Sequence, residues 1–191
     1  DGMFCEALPC PCSQEALDAS GGGGTTNTKP NQKAKKSYVY DGRLTQVVDG
    51  DTLKVKVRRR VRTVRVIGID TPESHKPNVA PECGSAQATS AAIEWSFDRP
   101  IYDHGRRTRK VRLRTDQTQT KTDKYGRLLA YVGRGGSDFG RQQLRKGWAD
   151  IFVYRNNPFK RYAAYEKTFE AARTAGRGVW STCGGDFHSN Q

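Results

Sequence analysis

The amino-acid sequence predicts an α+β fold, a five-stranded β-barrel of the OB type carrying three α-helices. Two observations predict it. Five short segments are rich in β-branched and aromatic residues and end on Gly, Asp or clustered charge, while three others repeat apolar residues at helical spacing. Five strands closed on themselves with helices packed outside is the OB solution. A chain of 191 residues has room for one such domain and an appendage.

The strands are expected in SYVYDGRLTQVVD (37–49), TLKVKVRRR (52–60), VRTVRVIGI (61–69), RKVRLRT (109–115) and RLLAYVG (127–133). The first helix is expected in ECGSAQATSAAIEWSFD (82–98), where Ala86, Thr89, Ile93 and Phe97 fall on one face. The second, SDFGRQQLRKG (137–147), would start at a Ser137 cap and stop near Gly147. For the third, Asn157 is the expected cap, Pro158 suits the first turn, Tyr162, Tyr165, Phe169 and Ala172 form a stripe, and Gly176 ends it. The domain then spans 37–184. It is preceded by a small Cys-rich piece (1–18) and a Gly-, Thr- and Lys-rich tether (19–36), and followed by a tail (185–191).

Lys and Arg number 33 against 20 Asp and Glu, giving +13, with a pI near 9.8 and a mean hydropathy of −0.81. Residues 1–30 are net acidic, so the excess of positive charge belongs to the domain. Such a balance favours an anionic partner, nucleic acid first and an anionic membrane surface second. No apolar run approaches the roughly 18–20 residues that span a bilayer, so membrane insertion is not expected. The chain opens on DGMF rather than on a basic and then apolar leader, and a secretory signal is expected to have been removed. Five cysteines, at 5, 10, 12, 83 and 183, point to an oxidising compartment, hence a secreted or cell-surface protein.

The chemistry concentrates in VVDGDTLKVKVRRRVRTVRVIGIDTPE (47–73). It reads as two antiparallel strands turning within Arg58–Arg60, with opposed residues summing to about 119–120, so that Asp51 faces Ile69 or Asp70. Like charges opposed across a strand pair are destabilising unless a cation lies between them. The donors are hard oxygens and neither segment holds His or Cys, so Ca²⁺ or Mg²⁺ is favoured over zinc. Glu73 stands just beyond Pro72 on a stiffened loop, where a general base would act. Other readings stand beside these: DGD as a polar turn, Glu73 as a loop charge, Arg127 as a strand-edge charge.

Strict alternation sets Arg65 and Asp70 on opposite faces of a strand, so both can serve one site only if the strand is bulged or coiled, with Gly68 the candidate position. Further along, Asp123 to Gly126 suits a type I turn that sets Arg127 at the mouth of an apolar strand.

VVDGDT, RVIGIDTPE and DKYGRLLAYV, in this order and with a helix between the last two, resemble the staphylococcal nuclease (thermonuclease) family over about residues 37–182. The resemblance implies an OB-fold barrel with three helices and a Ca²⁺-dependent endonuclease acting on DNA and RNA, leaving 3′-phosphorylated products. By motif position, Asp51, Asp70 and the Thr71 carbonyl would hold Ca²⁺, Glu73 would activate water, and Arg65 and Arg127 would bind the phosphate. Lys124 and Tyr125 would line the substrate groove. Tyr154 is a further substrate candidate, in a stretch one residue different from the family pattern.

SHKPNVAP (74–81) would be a flap beside the site, with His75 a solvated residue in it. DGMFCE at the N-terminus resembles the end of the excalibur module, a small extracellular calcium-binding unit. A bond between Cys83 and Cys183 would pin the C-terminal segment to the barrel. A monomer is expected. The rival readings are a noncatalytic OB module that holds nucleic acid, and a cationic adhesion domain that leaves the carboxylates unexplained.

Overall fold

The structure is a computed structural model that describes residues 36–74, 80–98, 102–103, 106–107 and 109–189. The expected Cys-rich piece, nearly all of the tether, and His75 with most of the flap lie outside the described residues. The described residues belong to one unit, Ala34–Gln191.

Five strands build the barrel: β1 (Val39–Val47), β2 (Thr52–Val57), β3 (Arg60–Val66), β4 (Lys110–Arg114) and β5 (Leu128–Arg134). They run in the order β3-β2-β1-β4-β5, with antiparallel neighbours, and the barrel closes through a parallel β3–β5 pairing in which Val64 faces Leu128 and Arg65 faces Leu129. Alternation drives the closure: in β2, Leu53 and Val55 are fully buried while Lys54 and Lys56 point outward. The core continues through Leu44, Val64, Val66, Leu113, Ala130 and Val132. The predicted architecture, a closed five-stranded barrel with three main helices, is the one observed. A short sixth strand, Ser137–Asp138, borders β5, and Ile69–Asp70 pairs with Asp150–Ile151.

The helices are α1 (Ser85–Ile93), α2 (Phe139–Lys146) and α3 (Tyr162–Thr174). Three local expectations are corrected. In α1 the buried face is Ser85, Ala88, Ala91 and Ala92, while Ala86 and Ile93 are exposed and Thr89 lies at the margin. Small side chains face inward here because the helix lies close on the barrel. The cap of α2 is Asp138, whose carboxylate accepts from the Arg141 amide, while the Ser137 hydroxyl accepts from the Trp95 indole.

Asn157 does not cap α3, which begins only at Tyr162 with Arg161 before it. Its side chain instead donates to the Thr118 carbonyl. The intervening residues place Phe159, 3% exposed, in the core. Burying that ring is worth about 2–3 kcal/mol, more than an earlier helix start would contribute. The stripe itself is as expected: Tyr165 and Ala172 are buried, and Tyr162 and Phe169 pack on the core.

Residues 183–189 lie against the domain. Cys183 is bonded to Cys83 across a 5.9 Å Cα–Cα separation, and Phe187 is 4% exposed between Trp180 and Phe169. Among the described residues no helix is long and apolar enough to cross a membrane.

Candidate active site

The β2–β3 hairpin turns on two residues, Arg58 and Arg59, with Val57 opposite Arg60 and Thr52 opposite Arg65. Opposed positions therefore sum to 117, not 119–120, and Asp51 meets Val66 rather than Ile69 or Asp70, its carbonyl accepting from the Val66 amide at 3.0 Å. A turn of two residues is the tightest that joins antiparallel strands, and that shortening shifts the register.

Asp70 reaches Asp51 by another route. The chain leaves β3 after Val66, turns at Ile67–Gly68 with Gly68 at φ 83°, and resumes as the short strand holding Asp70. The parity conflict is resolved at that break. Gly68 is required twice there: L-residues avoid this φ, and an added Cβ would stand 2.4 Å from the Phe159 ring.

Arg65 bridges the two carboxylates. One guanidinium nitrogen lies 3.0 Å from Asp51 Oδ2 and donates to the Ile69 carbonyl at 2.7 Å, and the other donates to Asp70 Oδ1 at 2.5 Å. Asp51 is 5% exposed and also accepts from the Thr71 amide and hydroxyl and from Thr52. The DGD turn is shaped by Asp49, whose carboxylate accepts from the Asp51 amide. At Gly50 a Cβ would meet Thr71 and Ala88, and the Gly50 carbonyl accepts from buried Gln143 of α2.

The electrostatics are those of crowded acids. Burial, with the Asp51 charge beside it, pushes the Asp49 carboxyl up to about 7. Burial also raises Asp70 above the ordinary carboxylate range, against the Arg65 guanidinium at its side.

Glu73 is partly buried and within electrostatic reach of Asp49. Its amide donates to Glu82 Oε2 at 2.7 Å and its carbonyl accepts from the Glu82 amide at 2.9 Å, so buried Glu82 grips its main chain from both sides.

Arg127 stands immediately before the strand that pairs with β3, two residues before the partner of Arg65. Asp123 holds it, accepting from the Arg127 amide at 2.9 Å and from its Nε at 2.6 Å, while the Gly126 amide closes the expected turn onto the Asp123 carbonyl. Against its burial, these bonds hold the Asp123 carboxyl below its usual range. Tyr125 is 70% exposed, with Lys124 Nζ 4.9 Å and Arg127 Cζ 5.4 Å from its ring. Tyr154 is also exposed, near Phe152 and under Arg155, in a separate loop.

Sequence reasoning did not single out Asp49, Asp123 or Glu82 as supports. The first two carry a signal, an acid two residues before an amide it binds, Asp51 for Asp49 and Tyr125 for Asp123. Glu82 carries none, because only folding brings it to Glu73.

Among the described residues no group of three or more His, Cys, Asp or Glu side chains is close enough to hold a metal ion by itself. The donor set nevertheless suits a hard divalent cation. Asp51 and Asp70 are carboxylate oxygens gathered on one guanidinium, and burial raises the Asp70 carboxyl even beside that cation. Two carboxylates and a carbonyl leave positions for water or phosphate oxygens.

The family model described as staphylococcal nuclease homologue matches residues 63–182. The chain belongs to this family. It is 34% identical over 147 residues to the SPbeta prophage-derived endonuclease YokF of Bacillus subtilis strain 168, covering 76% of this chain and 46% of YokF. It is 31% identical over 139 residues to the thermonuclease of Staphylococcus hyicus, covering 73% of this chain and 75% of that protein. Endonuclease YncB of Bacillus subtilis strain 168 is 31% identical over 156 residues, 81% of this chain and 68% of YncB. The chain thus spans less than half the length of YokF.

Proposed function

We propose that this chain is a Ca²⁺-dependent endonuclease that hydrolyses phosphodiester bonds of DNA and RNA with little sequence specificity, leaving 3′-phosphates. The supporting observation is the convergence of Asp51, Arg65 and Asp70 on one end of the barrel, with Glu73 beside them and Arg127 at the start of the adjoining strand. Family membership and the names of the relatives, an endonuclease and a thermonuclease, support the same reading.

Asp51, Asp70 and the Thr71 carbonyl would hold Ca²⁺. When bound, the ion supplies charge neutralisation at the phosphate oxygens. Glu73 takes a proton from water as the water attacks phosphorus in line, and the bond to the 5′-oxygen breaks, that oxygen taking a proton from solvent to leave as the 5′-hydroxyl. Negative charge grows on the remaining phosphorus-bound oxygens, where the forked guanidinium groups of Arg65 and Arg127 donate bidentate hydrogen bonds. A lysine at either position would supply charge without the fork.

In the structure Arg65 is committed to both carboxylates, so binding phosphate would require it to turn from Asp51 and Asp70. Asp123 keeps Arg127 oriented throughout. Lys124, Tyr125 and Tyr154 offer cationic and aromatic contacts to the flanking strand. The absence of any base-reading motif fits low sequence specificity. We further infer a secreted or cell-surface location and a monomeric state, the first from the cysteine content and the Cys83–Cys183 bond.

The test is hydrolysis of denatured DNA by the wild type and by Glu73→Gln, each with Ca²⁺ and with a chelator. Cleavage that requires Ca²⁺ and falls at least about a hundredfold in the variant is expected for loss of a general base. Tight binding without cleavage under every condition would make the protein a nucleic-acid binder instead.

A further inference from the structure

The segment 183–189 lies beyond the matched residues, yet it reaches into the site. Its course is fixed at three points: Cys183 is bonded to Cys83, Phe187 is buried against Trp180 and Phe169, and the Ser189 carbonyl accepts from the Cys83 amide at 2.8 Å. Asp186 accepts from the His188 amide at 2.9 Å and so shapes the last turn. These anchors carry the imidazole of His188 to a position between two acids. Nδ1 is 3.2 Å from Glu82 Oε2, and Nε2 is 3.8 Å from Asp70 Oδ2. The same Glu82 oxygen accepts from the Glu73 amide at 2.7 Å.

Toward an ionised Glu82 carboxylate, which only accepts, the ring nitrogen is the donor. Glu82 is 3% exposed and has little water to orient it. His188 is half exposed and carries no burial role of its own. A polar side chain led by three anchors to a buried carboxylate that holds another residue's main chain is an outer support.

We propose that residues 183–189 form a positioning strap for Glu73, in which His188 fixes the Glu82 carboxylate and Glu82 fixes the Glu73 amide. The importance of Glu73 rests on the nuclease reading above, while the hold on its amide does not. His188 acts on Glu73 only through Glu82, as a positioning residue. Its second contact, to Asp70, ties the strap to the cation-holding side of the same site.

The test uses the full chain with His188→Ala and His188→Gln. Exchange of the Glu73 amide is followed by mass spectrometry or NMR, and kcat and KM are measured on denatured DNA with Ca²⁺. His188→Ala is expected to speed Glu73 amide exchange and to lower kcat, each about tenfold, the low end for losing an outer support. KM and the midpoint of urea unfolding should barely move, because the imidazole is half exposed. His188→Gln, whose amide can still donate to Glu82, should recover most of both losses. Unchanged exchange in His188→Ala overturns the strap. Faster exchange with unchanged kcat overturns its role in positioning the base. A wild type that cuts nothing would refute the nuclease reading alone, and the exchange comparison would still decide whether the strap holds Glu73.

Discussion

Two clusters of acids and their partners lie in this domain, and they are built on opposite principles. One gathers Asp51 and Asp70 around Arg65, with Asp49 beside Asp51. The other gathers Asp116 and Asp138 around Tyr131, Tyr165 and Arg161. In the second, Asp116 accepts from the Tyr131 hydroxyl, from the Lys160 amide at 2.7 Å, and from the Thr118 amide and hydroxyl at 2.9 and 3.0 Å. Asp138 caps α2 and accepts from Tyr165 and Arg161, whose guanidinium lies over the Tyr131 ring. Despite burial, donated bonds hold Asp116 below its ordinary range. In the first cluster burial and mutual repulsion win, and Asp49 and Asp70 are pushed up. A cluster that satisfies its charges serves the fold, whereas one that crowds them is ready for a cation and a phosphate.

The largest expected effect comes from exchanging the central arginines. Arg65→Ala should lower kcat by about a hundred- to a thousandfold, the scale of losing a preorganised donor to a developing oxyanion. Arg161→Ala, removing the corresponding cation of the other cluster, should leave kcat within a factor of two or so. Equal losses in the two variants would erase the distinction between the clusters.

Stability should sort them the other way. Asp116→Ala strands the buried Tyr131 hydroxyl and removes the acceptor of the Lys160 amide, and is expected to cost about 3 kcal/mol in urea unfolding. Because the folded pKa of Asp116 is depressed, its contribution is fully present above the unfolded value near 4 and is lost as pH falls through the lower folded value. The gap between wild type and Asp116→Ala should therefore narrow below about pH 4. A gap that stayed constant down to pH 2 would mean the Asp116 charge contributes nothing. Gly68→Ala belongs to the same scale. It forces a side chain into a positive φ and against Phe159, at an expected cost of about 2–4 kcal/mol.

The contrast was only half legible in the sequence. The barrel could be read because alternation and turn residues act locally: Leu53 and Val55 against Lys54 and Lys56 specify a face whatever surrounds them. That Asp51 and Asp70 would meet at the open end of the hairpin could be read from its sequence, and they do meet, on Arg65. The hairpin register was missed by two to three because the chain of arginines at 58–60 gives no signal for which two make the turn. Asn157 misled because a cap signal is local, whereas the position of α3 is set by a distant cavity that Phe159 fills. Glu82 and His188 meet across more than a hundred residues, and no periodicity records that.

The smallest expected effect sharpens the comparison most, because its sign differs. Removing an acid from a satisfied cluster destabilises, but removing one from a crowded cluster relieves repulsion. Asp49 has little to lose: its bond from the Asp51 amide can be made equally by an asparagine oxygen, and the Asp51 side chain beside it raises its carboxyl rather than satisfying its charge. Asp49→Asn should therefore raise stability by about 1 kcal/mol in chelator at pH 8, where the aspartate is ionised beside Asp51. Added Ca²⁺ should shrink this advantage, since bound cation stabilises the folded wild type in proportion to RT ln(1 + [Ca²⁺]/Kd) and compensates the charge that the variant lacks. A destabilised Asp49→Asn in chelator would mean that the DGD acids are held as firmly as Asp116. The site would then have no unmet charge with which to recruit a cation.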